Sequence, residues 1–270
     1  GLVLAMLTLV DAGDEVVFFD PYFVMYRHLV HLAGGVPVPV ETYPDFRPDL
    51  DKLADAITDK TRLLILNSPS NPTGAVHTAE ELKGIADIAS ERGLLVISDE
   101  IYDAFCYDEP GFTSMASLYE NTLLLRGFSK AYAMTGWRVG WCTGPAPILE
   151  KMTMLQQYSF VCAPSMAQAG AVVAMDTDIS EHVAAYRRKR DMVQDALGEK
   201  LGLIQPAGAF YAFVPAPGGD ATAFVTRAIE NNVLIIPGNV FSGRDTHFRI
   251  SYATSDEQLA QGLEILASLA

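Results

Sequence analysis

Polar side chains follow three short apolar runs of the sequence. Residues 67–74 (NSPSNPTG), 99–102 (DEIY) and 127–130 (GFSK) each come directly after a run that predicts a buried strand. They supply amides, carboxylates, a phenol and a primary amine. Ligands of open α/β sheets bind in the crevice at the carboxyl ends of the strands. We therefore expect these groups to meet at one sheet edge, where an amine beside a carboxylate and a phenol can do nucleophilic and acid–base chemistry.

The hydrophobic pattern indicates the elements that position these side chains. Short β-branched or leucine-rich runs predict strands at residues 16–19, 36–40, 63–66, 94–98, 123–125 and 139–142. Helical patterns separate the earlier runs at residues 22–33, 50–57 and 79–92, and the last of these opens after Thr78 with two glutamates in its first turn. This alternation predicts an α/β fold, a mostly parallel sheet with helices on both faces.

The pattern changes from about residue 145, where longer helices are predicted at 148–158, 165–175 and 179–201. The last contains the cationic cluster 187–190 (RRKR), which we interpret as a solvated helix face. Strands at 210–213, 233–236 and 248–252, with helices at 221–231 and 256–270, predict a small C-terminal α+β domain. We expect a large domain over residues 1–178, and a linking helix with the small domain over 179–270.

Composition argues against several classes of partner and site. The chain has 270 residues, of which 50% are hydrophobic, and this is enough for a large core. Its formal charge of −14 repels nucleic acid and anionic membrane surfaces. Three separated cysteines without a CxxC pair suggest neither disulfides nor zinc and favour the cytoplasm. His28 and His31 lack a carboxylate at metal spacing, so no metal site is expected.

The first ten residues form an apolar run that predicts a helix already under way, closed by a turn at residues 11–13. The run is too short to span a bilayer, and no cation precedes it as in a signal peptide. Because the chain also begins without Met, we expect its natural N-terminus to lie upstream.

Four motifs occur in a fixed order: SNPTG at 70–74, DEIY at 99–102, GFSKAYAMTGWRVGW at 127–141 and FRISYA at 248–253. In this order and spacing the chain resembles the class I/II aminotransferases of fold type I, which depend on pyridoxal 5'-phosphate (PLP), from residue 1 to residue 270. The resemblance implies PLP as cofactor, an amino acid and a 2-oxo acid as substrates, and a homodimer. It also implies an N-terminal arm and a phosphate-binding loop before residue 1.

The resemblance assigns roles around the cofactor ring. Lys130 matches the lysine that holds PLP as a Schiff base and then moves a substrate proton. Asp99 matches the aspartate that keeps the pyridine nitrogen protonated, and Asn71 and Tyr102 match the donors to the ring oxygen O3′. Phe23 matches the aromatic residue that stacks on the ring. The resemblance thus implies catalytic roles for the lysine, the aspartate and the tyrosine.

The resemblance also assigns the groups that bind anions. Ser129 and Arg138 match the phosphate ligands, where a guanidinium forms charge-assisted hydrogen bonds. Arg249 matches the arginine that binds the substrate α-carboxylate, with Asn71 assisting, and so orients the bond that breaks. Many members have a hydroxyl residue at the position of Gly127, so we expect one phosphate contact to be absent or replaced.

Other interpretations use the same residues. Taken singly, a lysine after a strand is most often a surface charge, an aspartate there a turn or cap, and Arg249 an edge-strand charge. Their joint occurrence in order favours transamination. A β-lyase or synthase remains an alternative, because fold and cofactor do not fix the reaction. The PLP-binding effector domain of a transcription regulator is another, although the acidic charge favours an enzyme, and a truncation without function is the last.

Overall fold

The larger sheet lies in the first half of the chain, in a computed structural model that describes residues 1–108 and 110–270. Its strands are β1 (Glu15–Asp20), β2 (Val36–Glu41), β3 (Thr61–Asn67), β4 (Leu95–Asp99), β5 (Thr122–Gly127) and β6 (Gly140–Thr143). They lie in the order β2-β1-β3-β4-β5-β6. The first five run parallel, and β6 pairs antiparallel with β5.

Alternate residues of the central strands face two separate apolar layers. The surrounding helices are α1 (Leu2–Leu9), α2 (Met25–Leu32), α3 (Leu50–Ala56), α4 (Ala79–Glu91), α5 (Ala146–Gln157) and α6 (Ser165–Met175). Val16 and Ile65 face the layer beneath α1, α2 and α5, whereas Val17 and Leu64 face the layer beneath α3 and α4. Strands buried on both faces appear in the sequence as continuous apolar runs. The predicted α/β fold with helices on both faces is confirmed.

Helix boundaries follow the capping residues. Thr78 caps α4 as predicted: its hydroxyl accepts from the Glu81 N–H at 3.2 Å, and the Glu81 carboxylate accepts from the Thr78 N–H at 2.7 Å. The second helix begins at Met25, three residues later than the predicted start at 22. Residues 21–24 instead form the connection from β1, and this places Phe23 outside the helix.

A second, three-stranded sheet lies in the C-terminal part. Its strands are β7 (Tyr211–Pro215), β8 (Ile236–Pro237) and β9 (His247–Ser251), and its helices are α7 (Ser180–Leu201), α8 (Ala221–Glu230) and α9 (Asp256–Leu269). The central strand, β9, pairs antiparallel with both neighbours. Phe224, Phe248 and Leu263 belong to the core of this α+β region, which also contains Tyr102 and Phe105 from the first half. The boundary at residues 178 and 179 stays a prediction.

Two predictions about this region are corrected. The strand expected at 233–236 is almost absent, because only Ile236 of that range pairs with β9, opposite Arg249. Val233 instead closes the end of α8 with a hydrogen bond to Ala228. The cluster 187–190 is not a uniformly solvated face, since the side chain of Arg190 is only 2% exposed.

Burial of Arg190 has a clear physical reason. Its Nη1 donates to Asp108 at 3.0 Å and to the carbonyl of Pro206 at 2.8 Å, and its Nε donates to Asp191 at 2.6 Å. Its guanidinium also lies 5.4 Å from the ring centroid of Tyr107. A buried charge persists when it is paired and hydrogen-bonded in this way.

Across the described parts of the chain, 1–108 and 110–270, no helix has the length and hydropathy needed to cross a membrane.

Candidate active site

The predicted polar segments meet at the carboxyl end of the larger sheet. In the parallel register, Asn67 at the end of β3 lies opposite Asp99 at the end of β4, and Asp99 lies opposite Leu125 of β5. The side-chain amide of Asn67 donates to the Asp99 carbonyl at 2.9 Å, and its oxygen accepts from the Asn71 N–H at 2.8 Å. Sheet topology therefore brings the three loops to one edge.

The carboxylate of Asp99 is buried, and its side chain is held by a tyrosine. The hydroxyl of Tyr26, on α2, donates to Oδ2 of Asp99 at 2.8 Å. Burial raises the pKa of Asp99 to about 6, although the Tyr26 hydrogen bond acts in the opposite direction. Phe23 lies beside this pair, with 5.7 Å between its ring centroid and that of Tyr26. Sequence reasoning missed Tyr26, whose only signal is its place three residues after Phe23.

The amine of Lys130 lies among aromatic rings. Its Nζ is 5.6 Å from the ring centroid of Tyr102 and 5.5 Å from that of Phe210. Burial lowers the pKa of Lys130, the positive charge of Arg249 lowers it further, and Asp99 opposes the shift. An amine in such surroundings reaches its neutral, nucleophilic form more easily than a solvated lysine does.

Tyr102 is buried, and its hydroxyl lies 3.1 Å from the hydroxyl of Tyr211 on β7. Burial raises the pKa of Tyr102. Residues 101–104 form turns rather than a helix, so Tyr102 follows Asp99 through a turn. Tyr211 was not predicted as a site residue, because it is 109 residues away in sequence.

Arg249 occupies the centre of the smaller sheet, so the edge-strand alternative is wrong. Its Nη1 donates to Oδ1 of Asn71 at 2.9 Å. The ring centroids of Tyr211 and Phe241 each lie 4.5 Å from its Cζ. Its Nε is buried and has no hydrogen-bond partner among the described residues. A buried guanidinium with an unused donor is suited to an incoming carboxylate.

Arg138 and Ser129 lie at the rim of the site. Arg138 is exposed, has a left-handed backbone (φ 54°), and donates from Nη1 to the Thr135 carbonyl at 3.0 Å. It is close enough to Lys130 for its charge to lower the pKa of the amine. Ser129 is half-buried. Gly127 has a packing reason, because a Cβ there would lie 3.0 Å from the side chain of Ile101.

The start of α1 lies at the same site, which sequence reasoning did not foresee. Gly1, just before α1, lies against β5, since a Cβ there would be 3.3 Å from the side chain of Leu125. The start of α1 therefore lies beside β5, the strand that leads to Lys130.

Comparison with known proteins agrees with this arrangement. The family model described as aminotransferase class I and II matches residues 1–266. The chain is 37% identical to the probable aspartate aminotransferase of Methanocaldococcus jannaschii, covering 99% of this chain and 74% of that protein. It is 38% identical to the aspartate/prephenate aminotransferase of Thermus thermophilus, covering 96% of this chain and 70% of that protein.

Solved structures give the same result. The aromatic aminotransferase of Pyrococcus horikoshii superposes with a TM-score of 0.95 at 39% identity, covering 99% of this chain and 76% of that one. The aspartate aminotransferase of Thermus thermophilus determined with maleate gives a TM-score of 0.94 at 37% identity, covering 100% and 73%. The chain therefore belongs to the class I and II aminotransferase family, a family of pyridoxal-phosphate enzymes.

Proposed function

We propose that this aminotransferase exchanges the amino group of an L-amino acid with a 2-oxo acid, using PLP held at Lys130. The observation that carries the proposal is the convergence of three groups on one aromatic-walled site. These are the amine of Lys130, the buried carboxylate of Asp99 and the guanidinium of Arg249 with its unpaired Nε. Lys130 lies in the loop after β5, Asp99 ends β4, and Arg249 lies at the centre of the smaller sheet.

The donor set fits the proposed cofactor. PLP, when bound, supplies an electron sink for the charge that develops on the substrate α-carbon. Asp99 would hold its pyridine nitrogen, because a buried carboxylate favours a cationic partner. Asn71 and Tyr102 would donate to its O3′, and Phe23 would stack on its ring. Its phosphate would bind at Ser129 and Arg138.

Lys130 would hold the cofactor and serve as the base. Burial lowers its pKa and so favours the neutral amine, which would accept a proton from the substrate α-carbon and return it to C4′ of the cofactor. Arg249 would orient the substrate by its α-carboxylate, so that the Cα–H bond points at this amine. Asn71 fixes the guanidinium through its 2.9 Å contact with Nη1. Tyr102 and Phe210 exclude water around the amine.

A substrate panel tests this function. L-Aspartate, L-phenylalanine and L-alanine are assayed with 2-oxoglutarate, and we expect one 2-oxo acid to form for each glutamate produced. Names of the relatives support trying aspartate and aromatic donors first. Arg249→Lys should raise KM for the donor about 100-fold, because the bidentate fork is lost. Release of pyruvate and ammonia without an acceptor would instead indicate a β-lyase.

We further propose a homodimer, which α6 supports. This helix is apolar on most of its surface (SMAQAGAVVAM), yet only Ala167 and Ala171 are buried. Apolar side chains stay exposed along the end of α5, the connection after it and α6: Met154, Tyr158, Phe160, Val161, Met166, Val172, Val173 and Met175. We call these residues the α5–α6 patch. Exposed apolar patches of this kind mark protein interfaces.

A cytoplasmic location and a domain boundary complete the proposal. Cys106, Cys142 and Cys162 are all free thiols, which suits a reducing compartment. Cell fractionation checks this location.

The boundary between a large domain (1–178) and a small one (179–270) falls between α6 and α7. Limited proteolysis of the connection at 176–179 would test it.

A further inference from the structure

A turn at residues 238–244 connects β8 to β9, the strand that carries Arg249. Phe241 in this turn is buried, and its ring centroid lies 4.5 Å from Cζ of Arg249. The same ring meets Phe213 of β7 edge to face, with 6.4 Å between centroids. The position of the turn therefore fixes one wall of the pocket around the guanidinium.

The end of β1 holds this turn through a buried carboxylate. The Gly243 N–H donates to Oδ2 of Asp20 at 3.1 Å, and the Tyr22 N–H donates to the Phe241 carbonyl at 2.8 Å. Asp20 is only 4% exposed, its Oδ1 is buried without a hydrogen-bond partner in the part of the chain that the structure describes, and burial raises its pKa. Burying a carboxylate that is incompletely paired costs stability. Such a residue is therefore expected to serve a purpose other than stability.

The end of β2 and the residues after it hold the turn from outside. Arg244 forms two hydrogen bonds to Glu41, at 2.9 and 2.5 Å, and its Cζ lies 4.7 Å from the ring centroid of Tyr43. The hydroxyl of Tyr43 donates to Oγ of Ser242 at 3.0 Å. We call these contacts the clasp: Ser242, Gly243 and Arg244 with Asp20, Glu41 and Tyr43.

We propose that the clasp positions Arg249 for the substrate carboxylate, by holding the turn so that Phe241 stays against the guanidinium. Arg249 also contacts Asn71 and Tyr211. A shift of the turn alone would therefore loosen its contact with Phe241. A displacement of about 1 Å at a binding group can cost up to about 100-fold in rate. The inference rests on the proposed function, in which Arg249 binds the α-carboxylate.

Variants of the clasp that leave the reacting groups intact provide the test. Glu41→Gln and Arg244→Gln remove the exposed ion pair, and we expect KM for L-aspartate or L-phenylalanine to rise about threefold with kcat changed by less than about twofold. Asp20→Ala should raise KM about tenfold. Hydrogen exchange over residues 238–249 should increase in the same variants. The control is Arg62→Gln, which removes a comparable ion pair with Asp14 at 3.4 Å.

The outcomes separate this inference from the proposed function. If Arg249→Lys leaves KM unchanged, the proposed function is wrong. If Arg249→Lys raises KM while Glu41→Gln and Arg244→Gln leave both KM and hydrogen exchange at the parent values, the clasp does not position Arg249. If Glu41→Gln raised KM by the same factor in the parent and in the Arg249→Lys background, this would also overturn the inference. These two surface variants keep the test informative even if Asp20→Ala does not fold.

Discussion

Asp99 is buried, and burial of an ionised carboxylate costs free energy. Its burial raises its pKa to about 6, and Tyr26 donates to it at 2.8 Å. Sequence reasoning identified Asp99 from its place after a strand, but not Tyr26. That contact joins residues 73 positions apart, and no local pattern encodes such a distance. Tyr211 was missed for the same reason, because it lies 109 residues from Tyr102 in the sequence.

Asp99→Asn should stabilise the chain without cofactor while removing activity. The folded-state pKa of Asp99 is raised above its ordinary value, so its contribution to stability is present at low pH and lost as pH rises through about 6. Removing the charge should therefore add up to about 3 kcal/mol at pH 7, from about two pKa units, and little at pH 4.

Urea unfolding of the cofactor-free chain at both pH values measures this difference. Asp59→Asn, at an exposed aspartate, is the matched control. Equal free energies of unfolding for Asp99→Asn and the parent at pH 7 would mean that the charge of the buried carboxylate does not destabilise the fold.

At the scale of elements, the strands of the larger sheet and their mostly parallel arrangement could be expected from the sequence, whereas the detail of the smaller sheet could not. Continuous apolar runs separated by helices indicate parallel strands, and all six predicted strands of the larger sheet are present. The strand predicted at 233–236 is present only at Ile236, because the Val233 N–H bonds to the Ala228 carbonyl at the end of α8 and Ile235 packs into the core of this region. Apolar composition alone does not distinguish a strand from a packed loop.

The motif at 99–102 also contains an anchor that the chemistry does not use. Glu100 is 1% exposed, and its carboxylate accepts from Ser98, from Ser114 and from the Met115 N–H at 2.8–3.1 Å. It also pairs with Arg126 at 2.7 Å. This network ties the end of β4 to β5 and to the segment before it, and so fixes the frame of the site.

Glu100→Ala should therefore destabilise the fold by about 3–5 kcal/mol, because it leaves several buried donors without a partner and Arg126 paired with Asp103 alone. Thermal or urea unfolding of the chain reports the change. Glu120→Ala, at an exposed position of the same region, should stay within about 0.5 kcal/mol of the parent. A loss below about 1 kcal/mol for Glu100→Ala would contradict a structural role for this carboxylate.

At the scale of the whole molecule, the acidic charge disfavours association of the chain with itself, whereas the α5–α6 patch favours it. A net charge of −14 favours solubility, yet Met166, Val172 and Val173 are 72%, 60% and 68% exposed on one helix. The sequence predicted this helix at its observed bounds, 165–175, but could not indicate which of its faces would be buried. Which face is buried depends on what packs against the helix, and we propose that a second copy of the chain does so.

Met166→Asp combined with Val173→Asp should dissociate the proposed dimer, because the two positions lie seven residues apart on one helix face and would bury two charges. Sedimentation velocity at micromolar concentration reports the mass. Leu234→Asp, at a side chain that is 86% exposed outside the patch, should leave the dimer intact. A monomeric parent chain, or a double variant that stays dimeric, would refute the assignment of the interface.

The central claim is that Lys130 holds the cofactor, and covalent trapping tests it most directly. The chain is incubated with PLP, reduced with borohydride and digested, and the modified lysine is located by mass spectrometry. We predict modification at Lys130, and loss of both the adduct and turnover in Lys130→Ala. Modification at another lysine in the parent chain, or turnover that persists in Lys130→Ala, would contradict the account.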